Sequence, residues 1–238
     1  MKLFVIDTET SDLEPSRGAS ILELAWMEIS FDQIWEPSNW SSSYIQYTGP
    51  INPHALAAHH IRADKLTEER GAVRRDQAVS WLAKHLEKDS ILVAHNIDFD
   101  AKFLPELKHP WICTFRSAKH IWPEAPGYGN QVLRYWLNLE PASEAVLRIA
   151  PIVAHQYPHQ ALYDVATTTG ILLKMLEKYT VEQLLKLTAK PLQLQKIGFG
   201  KHKGTNFNQI PRDYLLWLRQ QGDLDNDLKH TIDAILRS

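Results

Sequence analysis

The sequence predicts an α/β or α+β domain built around a central sheet, followed by a small C-terminal appendage. Strand-like and helix-like segments alternate over the first 180 residues, which is the first observation that favours this class. The second is a capping-box pattern at Thr180 and Gln183, opening a helix that Pro191 should end. Beyond it, a glycine-bearing turn precedes two further helical segments. We therefore expect three parts: a main domain over 1–180, a helical linker over 181–195 and a small module over 196–238.

Apolar and alternating runs predict the strands. Leu3 to Ile6 form a continuous apolar run, which is typical of a buried strand. Three later runs also have strand character: ILELAWMEIS from Ile21, SSSYIQY from Ser41 and ILVAH from Ile91. Trp35 and Trp40 lie between the run from Ile21 and the run from Ser41, in a stretch that we predict to be irregular.

Apolar residues at helical spacing predict the helices. A helix is expected over 76–85, another after Phe99, and the most regular one from Ala161 through ILLKMLEKY. Two more close the chain, the first from Pro211 and the second with Leu228 and Ile232 on one face. Three tryptophans in apolar periodic segments are expected in the core, namely Trp26, Trp81 and Trp136.

Composition excludes several classes of protein. With 44% hydrophobic and 23% charged residues among 238, the chain is expected to be globular rather than disordered or fibrous. We expect no membrane span and see no secretory signal. One cysteine, Cys113, excludes an internal disulfide framework, favours a reducing cytoplasm and is expected to be a buried small hydrophobe.

Charge is unevenly distributed, although the net charge of -2 gives no overall reason to expect a polyanionic partner. Residues 183–212 contain no acid but six basic residues: Lys186, Lys190, Lys196, Lys201, Lys203 and Arg212. A basic surface of this kind suits a phosphate backbone, and lysines on a solvated face are the alternative. GFGKHKG at 198–204 lacks the spacer and the Ser or Thr of a phosphate-binding loop, so we interpret it as a tight turn.

Four acids are predicted to lie at the ends of secondary-structure elements. Asp7 and Glu9 end the first strand on the same side, where they repel unless a cation lies between them, so the pair is either a metal site or a chance feature of the surface. Asp100 opens a helix after another strand, and Asp164 lies in the first turn of the helix that follows His159. Each helix-start acid alone is explained by the helix dipole. Together, the five residues suit Mg²⁺- or Mn²⁺-dependent phosphodiester hydrolysis with a histidine base.

Zinc is the alternative metal, because His54, His59 and His60 lie close together in the sequence. No cysteine or carboxylate stands at zinc-ligand spacing beside them, which argues against zinc.

Three ordered motifs resemble those of the DEDD superfamily of 3′-to-5′ exonucleases: DTET at 7–10, HNxxFD at 95–100 and HxAxxD at 159–164. The histidine five residues before the last acid resembles that of the DEDDh branch. The other branch would have Tyr at position 160, which is Gln here. The resemblance implies a ribonuclease H-like (DnaQ-like) fold with a central mixed β-sheet flanked by helices. It extends to PHALAAHHI at 53–61, WICTFRSAKHIWP at 111–123 and the C-terminal FGKHKG segment, and so covers nearly the whole chain.

The resemblance also implies roles for individual residues. Asp7 would bridge two Mg²⁺ (or Mn²⁺) ions. Glu9 and Asp164 would complete the site that holds the nucleophilic water, and Asp100 would reach the second ion. His159 would be the general base. Six residues would line the pocket for the last nucleotides: Thr8, Thr10, Leu13, His59, Asn96 and Phe99. We further hypothesise that Lys201, Lys203 and Lys196 grip the strand leading to the site.

The expected activity is hydrolysis of DNA from single-stranded or frayed 3′ ends to nucleoside 5′-monophosphates. Two alternatives stay open: an exoribonuclease of the same superfamily, and an inert protein that binds nucleic acid or docks a partner. Asp12 stands where relatives usually have glycine, and His60 where they often have Gly or Arg. Asp tolerates the left-handed turn that glycine would adopt there, and we expect a fifth acid beside the metals to alter metal affinity or to repel the substrate.

Overall fold

The computed structural model describes residues 1–221 and 224–237. Within them a five-stranded sheet has the order β3-β2-β1-β4-β5. The strands are β1 (Leu3–Thr10), β2 (Ile21–Asp32), β3 (Ile34–Tyr44), β4 (Ile91–Ala94) and β5 (Trp111–Cys113). β1, β2 and β3 pair antiparallel, whereas β1 pairs parallel with β4 and β4 with β5. The predicted mixed sheet is thus confirmed.

Helices within residues 1–188 flank the sheet, and the helices of the described residues include those predicted. They are α1 (Pro53–His59), α2 (Arg75–His85), α3 (Ile97–Phe103), α4 (Thr114–Ile121), α5 (Asn130–Trp136), α6 (Glu144–Ile149), α7 (Ala161–Leu176), α8 (Val181–Ala189), α9 (Arg212–Arg219) and α10 (Asn226–Arg237). At the start of α8, Thr180 N–H donates to Gln183 Oε1 and Gln183 N–H donates to Thr180 Oγ1, at 2.8 and 3.3 Å. This reciprocal pair confirms the predicted capping box.

Alternation along β1 assigns its side chains to two hydrophobic clusters. Leu3 and Val5 pack in the cluster that includes the buried face of α7. Phe4 and Ile6 pack in a second cluster, which includes Leu82 of α2. Because successive side chains of a strand point to opposite faces, β1 is covered on both sides and is fixed in position.

The prediction of an irregular stretch around Trp35 and Trp40 is wrong. A tight turn at Gln33, with φ 69°, lets β3 begin at Ile34 and pair with β2 from Asp32 back to Glu23. The register shifts between Glu28 and Ile29, so the irregularity is a bulge within the hairpin rather than a loop.

The expectation for the tryptophans is correct for one of three. Trp26 is buried, whereas Trp81 is 52% exposed and Trp136 is 37% exposed. Both helices carrying the exposed rings bury other side chains, Leu82 in α2 and Leu133 in α5. Cys113 is buried, as expected.

The chain divides into two compact units, Met1–Thr188 and Ala189–Ser238. α8, which was expected to form a linker, places Val181 and Leu184 in the larger hydrophobic cluster of the first unit. The second unit has its own cluster: Ile197, Phe207, Ile210, Leu215, Leu218, Leu228 and Ile232. In the described part of the chain, no helix is long and apolar enough to cross a membrane.

Candidate active site

The site begins at the carboxyl end of β1. Asp7 and Glu9 lie two residues apart on one face of this strand, and Glu9 lies opposite Glu23 of β2. Because β1 and β4 are parallel neighbours, their carboxyl ends meet at the same edge of the sheet. The segment after β4 therefore starts beside the acids of β1, and α3 begins there.

Asp100 reaches this edge from α3 and is held by β1 itself. Thr8 donates to Asp100 Oδ1 twice, from its backbone N–H at 3.0 Å and from its hydroxyl at 2.8 Å. The chain enters α3 through Asn96, whose φ of 82° is left-handed. The turn at Asn96 and the two bonds from Thr8 fix the buried carboxylate of Asp100.

Asp164 and His159 come from the start of α7. The backbone N–H of His159 donates to Asp164 Oδ2 at 2.8 Å, and Gln131 Nε2 donates to Asp164 Oδ1 at 3.0 Å. His159 has a φ of 66°, and its side chain is exposed. The ring is therefore accessible to solvent at the edge of the site.

One cleft of about 410 Å³ brings the acids and the histidine together. One ligand atom each from Glu9, His159 and Asp164 lies within 4.8 Å of the others. The lining consists of Asp7, Thr8, Glu9, His95, Asn96, Phe99, Asp100, Gly129, Asn130, Gln131, Val132, His159 and Asp164.

Burial, with repulsion between neighbouring carboxylates in addition, disfavours the charged forms of these acids. Burial, followed by repulsion from Asp100, Asp164 and Glu9, raises the pKa of Asp7 well above its ordinary value. Burial is also the main cause that raises the pKa of Glu9 to about 9, of Asp100 to about 7, and of Asp164 above its ordinary value. A cation placed among these oxygens would stabilise all the charged forms, and an all-oxygen donor set with one histidine beside it fits Mg²⁺ or Mn²⁺.

One histidine of the alternative zinc cluster, His59, is engaged in hydrogen bonds to the backbone. His59 accepts from Ile61 N–H through Nδ1 at 2.9 Å, which leaves Nε2–H to donate to Thr10 O at 3.2 Å. One ring nitrogen of His59 therefore bonds the end of β1 and the other the segment after α1, so neither is left for a metal.

The predicted nucleotide-binding residues fall into two groups. Thr8, Asn96 and Phe99 line the cleft. Thr10 is buried and donates its hydroxyl proton to Asp12 O at 2.8 Å, while Leu13 is 70% exposed. His59 is buried under the loop, and Lys201 and Lys203 are exposed on the second unit.

Asp12 does not adopt the left-handed backbone that was expected for a residue in place of glycine. Its carboxylate accepts from Leu13 N–H at 2.7 Å and from Asn52 Nδ2 at 3.0 Å, and these bonds lower its pKa. Asp12 therefore closes a loop. His60, by contrast, has a φ of 57° at the end of α1, a conformation that glycine adopts freely.

Sequence reasoning missed two polar residues that support the site. Glu23 accepts from Ala161 N–H at 3.2 Å and so satisfies the first turn of α7, and an acid within the apolar run ILELAWMEIS was a signal for it. Gln131, which holds Asp164, stands in no motif, and the sequence offered no signal for it.

Comparisons with known proteins identify relatives of this chain. A family model described as "Exonuclease" (RNase_T) matches residues 4–172, and one described as "Putative quorum-sensing-regulated virulence factor" matches residues 182–236. The chain is 29% identical over 242 residues to Exodeoxyribonuclease 10 of Escherichia coli (strain K12), covering 99% of both chains.

Solved structures support the same fold. Exonuclease X in complex with 5′ overhanging duplex DNA matches with a TM-score of 0.61 and 26% identity, covering 78% of this chain and 99% of that one. E. coli Exonuclease I with a dT13 oligonucleotide matches in fold, with a TM-score of 0.57 and 12% identity, over 73% of this chain and 40% of that one. The match over 4–172 contains the four cleft acids and His159, so this chain belongs to the exonuclease family and is a nuclease of DnaQ-like fold.

Proposed function

We propose that the protein is a metal-dependent exonuclease that hydrolyses DNA from the 3′ end to nucleoside 5′-monophosphates. The observation that carries the proposal is a single cleft in which four carboxylates from three elements lie beside an exposed histidine. The full-length similarity to a relative named exodeoxyribonuclease favours DNA as the substrate.

Two divalent ions, Mg²⁺ or Mn²⁺, would be held by Asp7, Glu9, Asp100 and Asp164, where they would lower the pKa of water and neutralise charge on the phosphate. His159 takes a proton from the attacking water through its exposed ring. The water oxygen bonds to phosphorus, the bond from phosphorus to the 3′ oxygen breaks, and solvent protonates that oxygen. The product is a nucleoside 5′-monophosphate and a chain shortened by one residue.

The surroundings of the cleft would position the last nucleotides. Asn96 and Phe99 line the cleft and would contact the terminal nucleotide, with Thr8 beside them. Leu13 is exposed and apolar and would pack against the terminal base. Thr10 and His59 would not contact the nucleotide, but their hydrogen bonds would hold the loop after β1 that carries Leu13.

Digestion of end-labelled oligonucleotides tests the proposal. Matched single-stranded DNA, duplex DNA and RNA carry the label at the 5′ end and are incubated with Mg²⁺ or Mn²⁺. We expect a ladder of shortened labelled products from DNA, and loss of digestion for Asp7→Ala and His159→Ala. Asp98→Ala is the control, because Asp98 is an exposed acid on the same helix as Asp100.

Each contrary result has a distinct meaning. Release of the labelled nucleotide first would reverse the proposed polarity, and faster digestion of RNA would support the exoribonuclease alternative. An Asp7→Ala variant as fast as the parent would refute the metal site. No digestion of any substrate by the parent would favour the inert binding protein.

A further inference from the structure

Aromatic rings and lysines adjoin on the surface of the second unit. The rings of His202 and Tyr214 lie 4.6 Å apart, and those of Tyr214 and Trp217 lie 5.4 Å apart. Lys201 and Lys203 flank His202 in the chain, and both are exposed. We call these five residues the aromatic–basic face.

The turn that carries the lysines is held in one conformation. Gly200 and Gly204 have φ values of 69° and 85°, which a residue with a side chain rarely adopts. Gly204 N–H donates to Ile197 O at 2.7 Å, and Lys203 N–H donates to Gly200 O at 3.2 Å. A Cβ on Gly200 would lie 2.8 Å from Tyr214 Oη, so the tyrosine packs directly on the turn.

Trp217 is not needed for the core of this unit. α9 buries Leu215 and Leu218, whereas the side chain of Trp217 is 53% exposed. A large ring left half in solvent, and fixed against a second ring, offers a flat apolar surface to a planar ligand.

The charges around the face favour an anionic ligand. Within the described ranges neither Lys201 nor Lys203 is paired with a carboxylate, whereas Arg219 is bound to Asp233 at 2.5 Å. In the sequence, Asp213 is the acid nearest to Lys201 and Lys203. Residues 183–212 contain no acid. The face therefore combines a flat apolar surface with unpaired positive charge.

We propose that the aromatic–basic face binds single-stranded polynucleotide, with a base stacked on Trp217 and phosphates on Lys201 and Lys203. A strand of nucleic acid supplies both a planar ring and an anion at each residue, which matches the two halves of the face. The inference rests on the proposed function only in taking nucleic acid as the partner, and binding here needs neither the cleft acids nor a metal.

Binding is measured by fluorescence anisotropy on the full-length chain in excess EDTA, so that no substrate is digested. The probes are labelled oligo-dT, an abasic strand of the same length, oligo-rU and a blunt duplex. Trp217→Ala should weaken binding to oligo-dT roughly 5- to 100-fold, which corresponds to the loss of one stacked base. Trp217→Phe should retain most of the affinity, and Trp81→Ala, which removes an equally exposed ring from the first unit, should bind as the parent does.

The lysines are tested through salt dependence. Lys201→Ala with Lys203→Ala should flatten the log-log slope of affinity against salt by about 1.4, at roughly 0.7 per lost contact with a single strand. Lys229→Ala, which removes an exposed lysine from α10, should leave the slope unchanged.

Three results would overturn the inference. The first is parent-like affinity of Trp217→Ala for oligo-dT, and the second is an unchanged salt slope for the lysine double variant. The third is a Trp217→Ala variant that loses as much affinity for the abasic strand as for oligo-dT. Comparison of oligo-dT with oligo-rU identifies which polynucleotide is preferred. Failure of the proposed function would be seen separately, as no digestion by the parent with Mg²⁺.

Discussion

Replacing Asp100 by Asn should stabilise the metal-free protein and abolish its nuclease activity. Burial raises the pKa of Asp100 from 3.8 to about 7 in the folded chain. The unfolded chain therefore releases this proton at lower pH than the folded chain, and the free energy of unfolding falls as pH rises from about 4 to about 7. The asparagine side chain cannot ionise, and its amide oxygen can still accept the two bonds from Thr8.

The magnitude follows from the shift. One pKa unit corresponds to about 1.4 kcal/mol. Between about pH 5 and the folded pKa of about 7, Asp100 therefore lowers the free energy of unfolding by about 3 kcal/mol. Asp7 and Glu9 lie in the same cleft and their protonation is linked to that of Asp100, which makes that figure an upper value. We expect Asp100→Asn to unfold at higher urea than the parent at about pH 8, with a much smaller difference at about pH 5.

The assay is urea unfolding followed by circular dichroism in excess EDTA, at both pH values. Asp98→Asn on the same helix is the control, because its exposed side chain lies outside the cleft. An Asp100→Asn variant whose stability falls with pH as steeply as that of the parent would refute this account of the site. Retained digestion of DNA with Mg²⁺ would refute the assignment of Asp100 as a metal ligand.

Three further predictions follow from other parts of the structure. Mg²⁺ at one hundred times its Kd should stabilise the parent by about 2.7 kcal/mol at about pH 8. The effect should be smaller at about pH 5, where protons compete with the metal for the carboxylates. A melting temperature that Mg²⁺ does not change would contradict the metal site. Gln131→Leu removes a donor to Asp164 and should lower kcat/KM about 10- to 100-fold at limiting Mg²⁺, with parent-like kinetics as the contrary result. Thr180→Ala removes the α8 cap and should cost about 1 kcal/mol in urea unfolding, whereas Ser143→Ala, which loses no cap bond, should cost little; equal losses would contradict the capping box.

The sequence predicted the elements whose pattern is local. The apolar run of β1, the long periodic face of α7 and the capping box at Thr180 each specify their element within a few residues. The cleft was predicted for a different reason, since three spaced motifs resemble one family and its fold brings them together.

Other features depend on partners distant in sequence. The start of β3 is set by pairing with β2 across the turn at Gln33, which the residues of β3 alone do not show. Trp81 lies in an apolar periodic segment, yet its helix turns another face inward. Gln131 acts only because α5 lies beside α7, so nothing around it in the sequence indicates its bond to Asp164.

The bond that joins His159 to Asp164 comes from the backbone and not from the imidazole. Truncating the ring therefore leaves the Asp164 carboxylate with its backbone donor. The proposed proton acceptor can thus be removed while the four acids keep their positions. Glycine would suit the φ of 66° at this position better than alanine. If His159 is the general base as proposed, we expect His159→Gly to arrest hydrolysis with the strand still in place and to hold a complex long enough to crystallise it.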